Sequence, residues 1–569
     1  MKDERHATFA DAEWIAAPWG AVPPVIPSPV PSPCLWPPVE CMIKGSGMFR
    51  VHRKIRMVLG LLALLTTAQA GAVEFAPVFN NGTVLQAALP VNIWGRAEPG
   101  ATVKVTFAGQ EKSTISDKEG RWMLQLDPLE PSAEPRALTA SGAGATASIA
   151  DVVVGEVWIA AGQSNMVWPL SGSEHGAASL AKTLPLIRFV IVPSQAGLPA
   201  RPFTSEQLAW RSFAPGNNRK LAAVAFHFAE SLQTETGGVI GIIQSSVGGT
   251  PAEAWTPLAA LRSRPELASH ADLITQALDS GKSADELRRA VEDHRNFVAA
   301  TSRWARTKEG PRPKPVPAPD PGNPWLGGSP TVLYENMVAP LVPYTVRGII
   351  WYQGESNALK PDEYRTLFPT LIEAWREAWQ RPELPFLFVQ LAAFDDPKPG
   401  RDFPGLRAAQ SFTRDTVPHT GMAVAIDAGE RNNIHPKFKK PVGERLARLA
   451  LAQVYGREVA ARGPVMSGAE CKDGAIVVAF DHAGAGLKTS DRRTEIPGFE
   501  VAGPDGKFEA ATARLDGPAS VVLRSAAVSR PVSVRYAWAP WIEPPVALQN
   551  SNGLPAEPGQ LDLRKPAQP

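Results

Sequence analysis

Cysteine is scarce in this sequence, with three residues in 569. Cys34 and Cys41 precede a leader-like segment, so Cys471 stands alone in the chain that follows. No disulfide can form within that part, and Cys471 reads as a small buried hydrophobe. Charge of one sign is also lacking. A net charge of +2 gives no pull toward nucleic acid. No spacing of His, Cys, Asp or Glu suits a metal, and no glycine loop suits a phosphate, so neither metal nor cofactor is expected. The apolar run Met57 to Leu65 is well short of the ~20 residues that span a bilayer. No short repeat is visible.

What is present begins with a proline-rich segment, residues 1–47, which has no hydrophobic period and reads as disordered or as a misassigned start. From Met48, Arg50, Arg53, Lys54 and Arg56 precede the apolar run, and Ala68-Gln69-Ala70 supplies a small-x-small cleavage pattern. Residues 48–70 therefore read as a signal peptide, which implies a periplasmic or secreted protein with no membrane contact after cleavage. Residues 73–150 alternate apolar and polar positions between turn signals, the pattern of a small β-sandwich. Residues 151–460 carry apolar strand blocks such as "GGVIGIIQSS" and "VRGIIWYQG" between helical segments, which predicts an α/β domain with a doubly wound parallel sheet. A charged helical excursion over 256–323 ends in a proline-rich linker, and residues 466–560 return to short strands as a second β domain.

Ligands of open parallel sheets bind beyond the carboxyl ends of the strands. Four such ends carry polar clusters: Gly162-Gln163-Ser164-Asn165, then Gly248-Gly249-Thr250, then Gln353-Gly354-Glu355-Ser356-Asn357, then "NNIHPKFKKPVGERLA" with His435. Each alone is a turn or a structural side chain. Together they offer a nucleophile, an electrophilic pocket and a base, the parts that acyl transfer requires.

The order GQSN, SxxGGT, WYQGESN, IHPxxKxPVGERLA resembles the sialate O-acetylesterase family, within the SGNH-type carbohydrate esterases. The likeness extends to "VLQAALPVNIWGRAEPGATVKV" and "RYAWAP", and covers about residues 75 to 558. It implies that Ser164 is the nucleophile and His435 the base. The oxyanion would be met by the Ser164 amide, an amide of Gly248 or Gly249, and the Gln353 side chain, with Glu355 and Asn357 beside the substrate. SGNH-type enzymes generally carry Asp three residues before the histidine, but here the nearest positions are Asn432 and Asn433. The candidates for the third member are Asp427, then Asn432, then Glu355. Trp168, Trp255, Trp351 and Tyr352 flank the motifs as core packing or sugar contacts, and Trp538 and Trp541 could cap the cleft. The implied partner is an O-acetylated sugar or oligosaccharide, either sialic acid or a plant polysaccharide such as xylan or pectin. A carbohydrate-binding protein that has lost its base chemistry is the alternative.

Overall fold

The computed structural model describes residues 72–472 and 474–563. The expectations for residues 1–47, the signal peptide and Cys34 and Cys41 lie outside the described residues. Six strands form the central parallel sheet: β1 (Ala145–Gly162), β2 (Leu184–Ile191), β3 (Ile240–Ser246), β4 (Gly348–Tyr352), β5 (Phe386–Val389) and β6 (Thr420–Ala423). Their spatial order is β2-β3-β1-β4-β5-β6, with every pair parallel, and Arg211–Phe213 adds an antiparallel edge beside β2. β4 and β5 are buried at every residue, as strands covered on both faces must be. The chain grows to one side of β1 through β2 and β3, then to the other through β4, β5 and β6. The reversal places a crevice at the carboxyl end of β1.

β1 is one continuous strand in two sheets. Its first half pairs antiparallel with Ser132–Gly142, and its second half pairs in parallel with β3 and β4. The boundary expected at residue 150 therefore falls inside a strand that the amino-terminal strands share with the central sheet. Those strands keep the alternation read from sequence: in Arg121–Leu126 every second residue is buried.

The helices that bear on the site and its packing are α1 (Ser164–Val167), α2 (Ala223–Thr236), α3 (Ala268–Leu278), α4 (Ala284–Thr307), α5 (Pro361–Ala378), α6 (Phe403–Thr416) and α7 (Lys440–Gln453), beside the short helices Gly176–Leu180 and Leu258–Arg262 and single turns. α2 packs on α7 so closely that a Cβ at Gly443 would lie 2.7 Å from the Val224 carbonyl oxygen. Beneath α5, Trp255, Trp351 and Trp375 meet edge to face at 5.9 Å. Truncating a buried tryptophan of this kind costs about 3–5 kcal/mol. α3 and α4 occupy the expected helical excursion. Ser283 and Glu286 close a capping box on α4, whose only buried residues are Leu287 and Val291.

The carboxyl-terminal strands form two four-stranded antiparallel sheets and a two-stranded pair. They are tied to the α/β body by the buried Arg407, which donates to the Ala539 and Pro540 carbonyls and to those of Leu391 and Ala392. Cys471 corrects an expectation, because it is exposed. It pairs with Ile476 beside the turn of a hairpin, where Ile476 is buried and Cys471 is not.

Candidate active site

β1 ends in a turn that only glycine can make. Gly162 has φ +133°, and a Cβ there would sit 2.2 Å from the Tyr352 carbonyl oxygen. The Gln163 amide donates to that same oxygen at 2.9 Å, and the Gln163 side-chain oxygen accepts from the Ser356 amide at 3.3 Å. The nucleophile turn is thereby fastened to the end of β4. Ser164 opens α1 half-buried, and among the described residues its hydroxyl has no hydrogen-bond partner. The loop after β3 passes alongside, so a Cβ at Gly248 would lie 3.4 Å from Ser164 Cβ. Among the described residues the amides of Ser164, Gly248 and Gly249 meet no acceptor. They are donors without acceptors, and of the two glycines Gly248 is the one that lies against Ser164.

His435 is held through its backbone. Asn433 Oδ1 accepts from the His435 amide at 3.0 Å and Asn433 Nδ2 donates to the His435 carbonyl at 2.9 Å. Glu430 in turn accepts from Asn433 Nδ2 and from the Lys437 amide. The imidazole lies on the face of Trp168, with ring centroids 5.2 Å apart and planes 18° from parallel. Trp168 is one helical turn from Ser164, and its indole N–H is anchored on the Gly172 carbonyl at 3.0 Å. Burial, and after it the positive charge of Lys439, push the His435 pKa down to about 4. The ring is therefore neutral over most of the pH range. It makes no hydrogen bond to Ser164 or to any other described residue. Such bonds often tighten only when substrate is bound.

The three acids or amides expected to orient the imidazole are all elsewhere. Asp427 forms a two-pronged ion pair with Arg445 at 2.6 and 2.7 Å. Asn432 is exposed, and its side chain makes no hydrogen bond among the described residues. Glu355 is buried and accepts from Asn165 Nδ2 at 2.5 Å, while its second oxygen has no partner. Burial raises the Glu355 pKa.

Gln353 and Asn357 also depart from their expected roles. Gln353 is wholly buried, donates to the Thr250 carbonyl at 3.3 Å and to Asn357 Oδ1 at 2.6 Å, and accepts from the Tyr364 hydroxyl at 2.9 Å. No N–H is left over for an oxyanion. Asn357 accepts from the Ala252 amide and donates to Glu253. Both amides brace the loop after β3 against the end of β4, a structural task. The same network runs on from Glu253 to His270 of α3, whose ring bonds Glu363 at 2.8 Å.

Among the flanking aromatics, Trp255, Trp351 and Tyr352 are buried in the core, whereas Trp168 is the one that faces the site. Trp541 lines a cavity of about 180 Å³ with Asp427, Ala393 and Ile542, between the α/β body and the carboxyl-terminal strands. Asn165 and Lys439 stand within the first and fourth sequence motifs, where the pattern alone suggests no role for either. Lys439 is buried, donates to Asn165 Oδ1, and lies 5.7 Å from the centre of the Tyr352 ring. Asn165 Nδ2 reaches the Ile434 carbonyl at 3.1 Å as well as Glu355.

Residues 322–452 match the family model described as carbohydrate esterase, sialic acid-specific acetylesterase. The chain is 31% identical over 444 residues to the sialate O-acetylesterase of Pongo abelii, covering 71% of this chain and 76% of that protein. To the mouse sialate O-acetylesterase it is 28% identical over 559 residues, covering 88% and 96%. Among solved structures, a carbohydrate acetylesterase from Xanthomonas citri superposes with a TM-score of 0.70 at 32% identity, covering 86% of this chain and all of that one. Matches of that length and identity place the chain in the sialate O-acetylesterase family of carbohydrate esterases.

Proposed function

We propose that this protein is an exported serine esterase that removes O-acetyl groups from carbohydrate through an acetyl-Ser164 intermediate. The observation that carries the proposal is the juxtaposition at the end of β1: a serine hydroxyl without a partner, amides of Ser164, Gly248 and Gly249 without acceptors, and a neutral imidazole stacked one helical turn away. Ser164 Oγ attacks the acetyl carbonyl as its proton passes to His435. The oxyanion is met by the amides of Ser164 and Gly248, with Gly249 next in line, each donor worth about 3 kcal/mol in the transition state. The C–O bond to the sugar then breaks, and His435 returns the proton to the departing oxygen. Water attacks the acetyl-serine with His435 again as base, releasing acetate and restoring the serine. The low proton affinity of His435 makes its imidazolium a strong acid, which favours protonation of the departing sugar.

The family name points to O-acetylated sialic acid as substrate, and the same machinery would serve an acetylated plant polysaccharide such as xylan or pectin. Residues 48–70 support export to the periplasm or beyond, where such sugars are met. The acyl-enzyme is tested by rapid quenching with an activated acetyl ester and mass analysis of the peptide that contains Ser164. Acetylation of that peptide, lost in Ser164→Ala, is expected.

A second reading is favoured by one observation, that no carboxylate bonds the His435 ring among the described residues. It makes the protein a sugar binder without turnover. Sugar binding by calorimetry without acetate release would select it.

A further inference from the structure

An imidazole with no acid behind it must be held in place by something else. Asn165 stands next to Ser164, and its side-chain amide reaches three separate segments. Its oxygen accepts from Lys439 of the histidine loop, and its nitrogen donates to the Ile434 carbonyl, adjacent to His435, and to Glu355 beyond β4. Asn165, Lys439 and Glu355 are all buried. A lysine and a carboxylate taken out of water cost several kcal/mol each unless compensated, so a bridge between them needs a reason beyond stability.

We propose that Asn165 and Lys439 are positioning residues: the buried bridge from Lys439 through Asn165 to Glu355 and the Ile434 carbonyl fixes the spacing between Ser164 and His435, in place of an acid on the imidazole. This rests on the reading that Ser164 and His435 carry the chemistry. The bridge ties the nucleophile turn to the histidine loop at a point one residue from each reacting group. A displacement of about 1 Å between such groups can cost 100-fold in rate. The bridge also sets charge. Lys439 is the charged neighbour that disfavours the imidazolium, while Glu355 and Glu430 favour the charged lysine. Arg401, paired with Asp396, faces Glu355 from the loop after β5. Burial pushes the Lys439 pKa down to about 7, against those carboxylates.

The test compares wild type, Ser164→Ala, Asn165→Ala and Lys439→Met, each checked for folding by thermal melting, in acetate release from p-nitrophenyl acetate across pH. Asn165→Ala is expected to lower kcat about 100-fold with little change in KM. Lys439→Met, close in length and without charge, is expected to move the acid limb of kcat/KM upward by up to about one pH unit, because the imidazolium loses its repelling neighbour while burial still holds it low. A purely structural lysine would leave that limb where it is. If Asn165→Ala does not fold, the pH profile of Lys439→Met decides. An inactive Ser164→Ala beside a folded Asn165→Ala of wild-type kcat, or beside a Lys439→Met with an unmoved limb, overturns the positioning role alone. Activity surviving in Ser164→Ala overturns the catalytic reading, and the positioning role with it.

Discussion

Asp427→Asn separates the geometry of this site from the triad that its sequence suggests. Arg445 is almost buried and spends two nitrogens on the Asp427 carboxylate and a further bond on the Val424 carbonyl. Removing one partner of a buried ion pair costs about 3–5 kcal/mol, because a charge is left without compensation. The Asp427 side chain is 31% exposed, so water can take its place in part. A loss near 2 kcal/mol is the discounted expectation. Asparagine keeps one acceptor oxygen for Arg445, which makes this an upper figure. Loss of the orienting aspartate in a serine triad lowers kcat about 10⁴-fold. Here kcat on p-nitrophenyl acetate should stay within about threefold of wild type while the urea midpoint falls. A kcat loss near 10⁴ with an unchanged midpoint would refute the reasoning and restore Asp427 to the imidazole.

Three further outcomes follow from the same geometry. Gly162→Ala should give little folded protein, because its Cβ collides with the Tyr352 carbonyl, whereas Gly249→Ala, at φ +71° with nothing within 4 Å, should cost only about 1–2 kcal/mol of backbone strain; soluble yield and melting compare them. Gln353→Ala should lower the melting temperature, since it orphans the Tyr364 hydroxyl and Asn357 at about 1–3 kcal/mol each. Its folded fraction should lose less than the ~10²–10³-fold in kcat that removal of an oxyanion donor costs. The acid limb of kcat/KM should lie near pH 4, where His435 gains a proton and ceases to be a base, and not near the ordinary histidine value of about 6.5.

The parallel sheet and the four polar strand ends were legible because fully apolar blocks, each stopped by glycine and polar residues, have few other uses. The serine that ends a buried strand follows from that pattern and from Gly162. The fates of Gln353 and Asp427 were not legible. Gln353 is claimed by Tyr364, Thr250 and Asn357, and Asp427 by Arg445, each through contacts that exist only once separate loops converge. A local pattern such as D-x-x-H cannot report a partner on another helix. Asn433, in the same run, turned out to hold the backbone of His435 rather than its ring. Near residue 150, where the sequence suggests a boundary, alternation gives way to a continuous apolar run while the strand itself does not break.

The central claim is tested most directly by acetate release from O-acetylated sialic acid and from acetylated xylan, using the chain from residue 71 onward and its Ser164→Ala variant. The account predicts release from at least one substrate by the wild-type chain and none above background from the variant. Equal release by both proteins, or none from a folded wild-type chain, would contradict it.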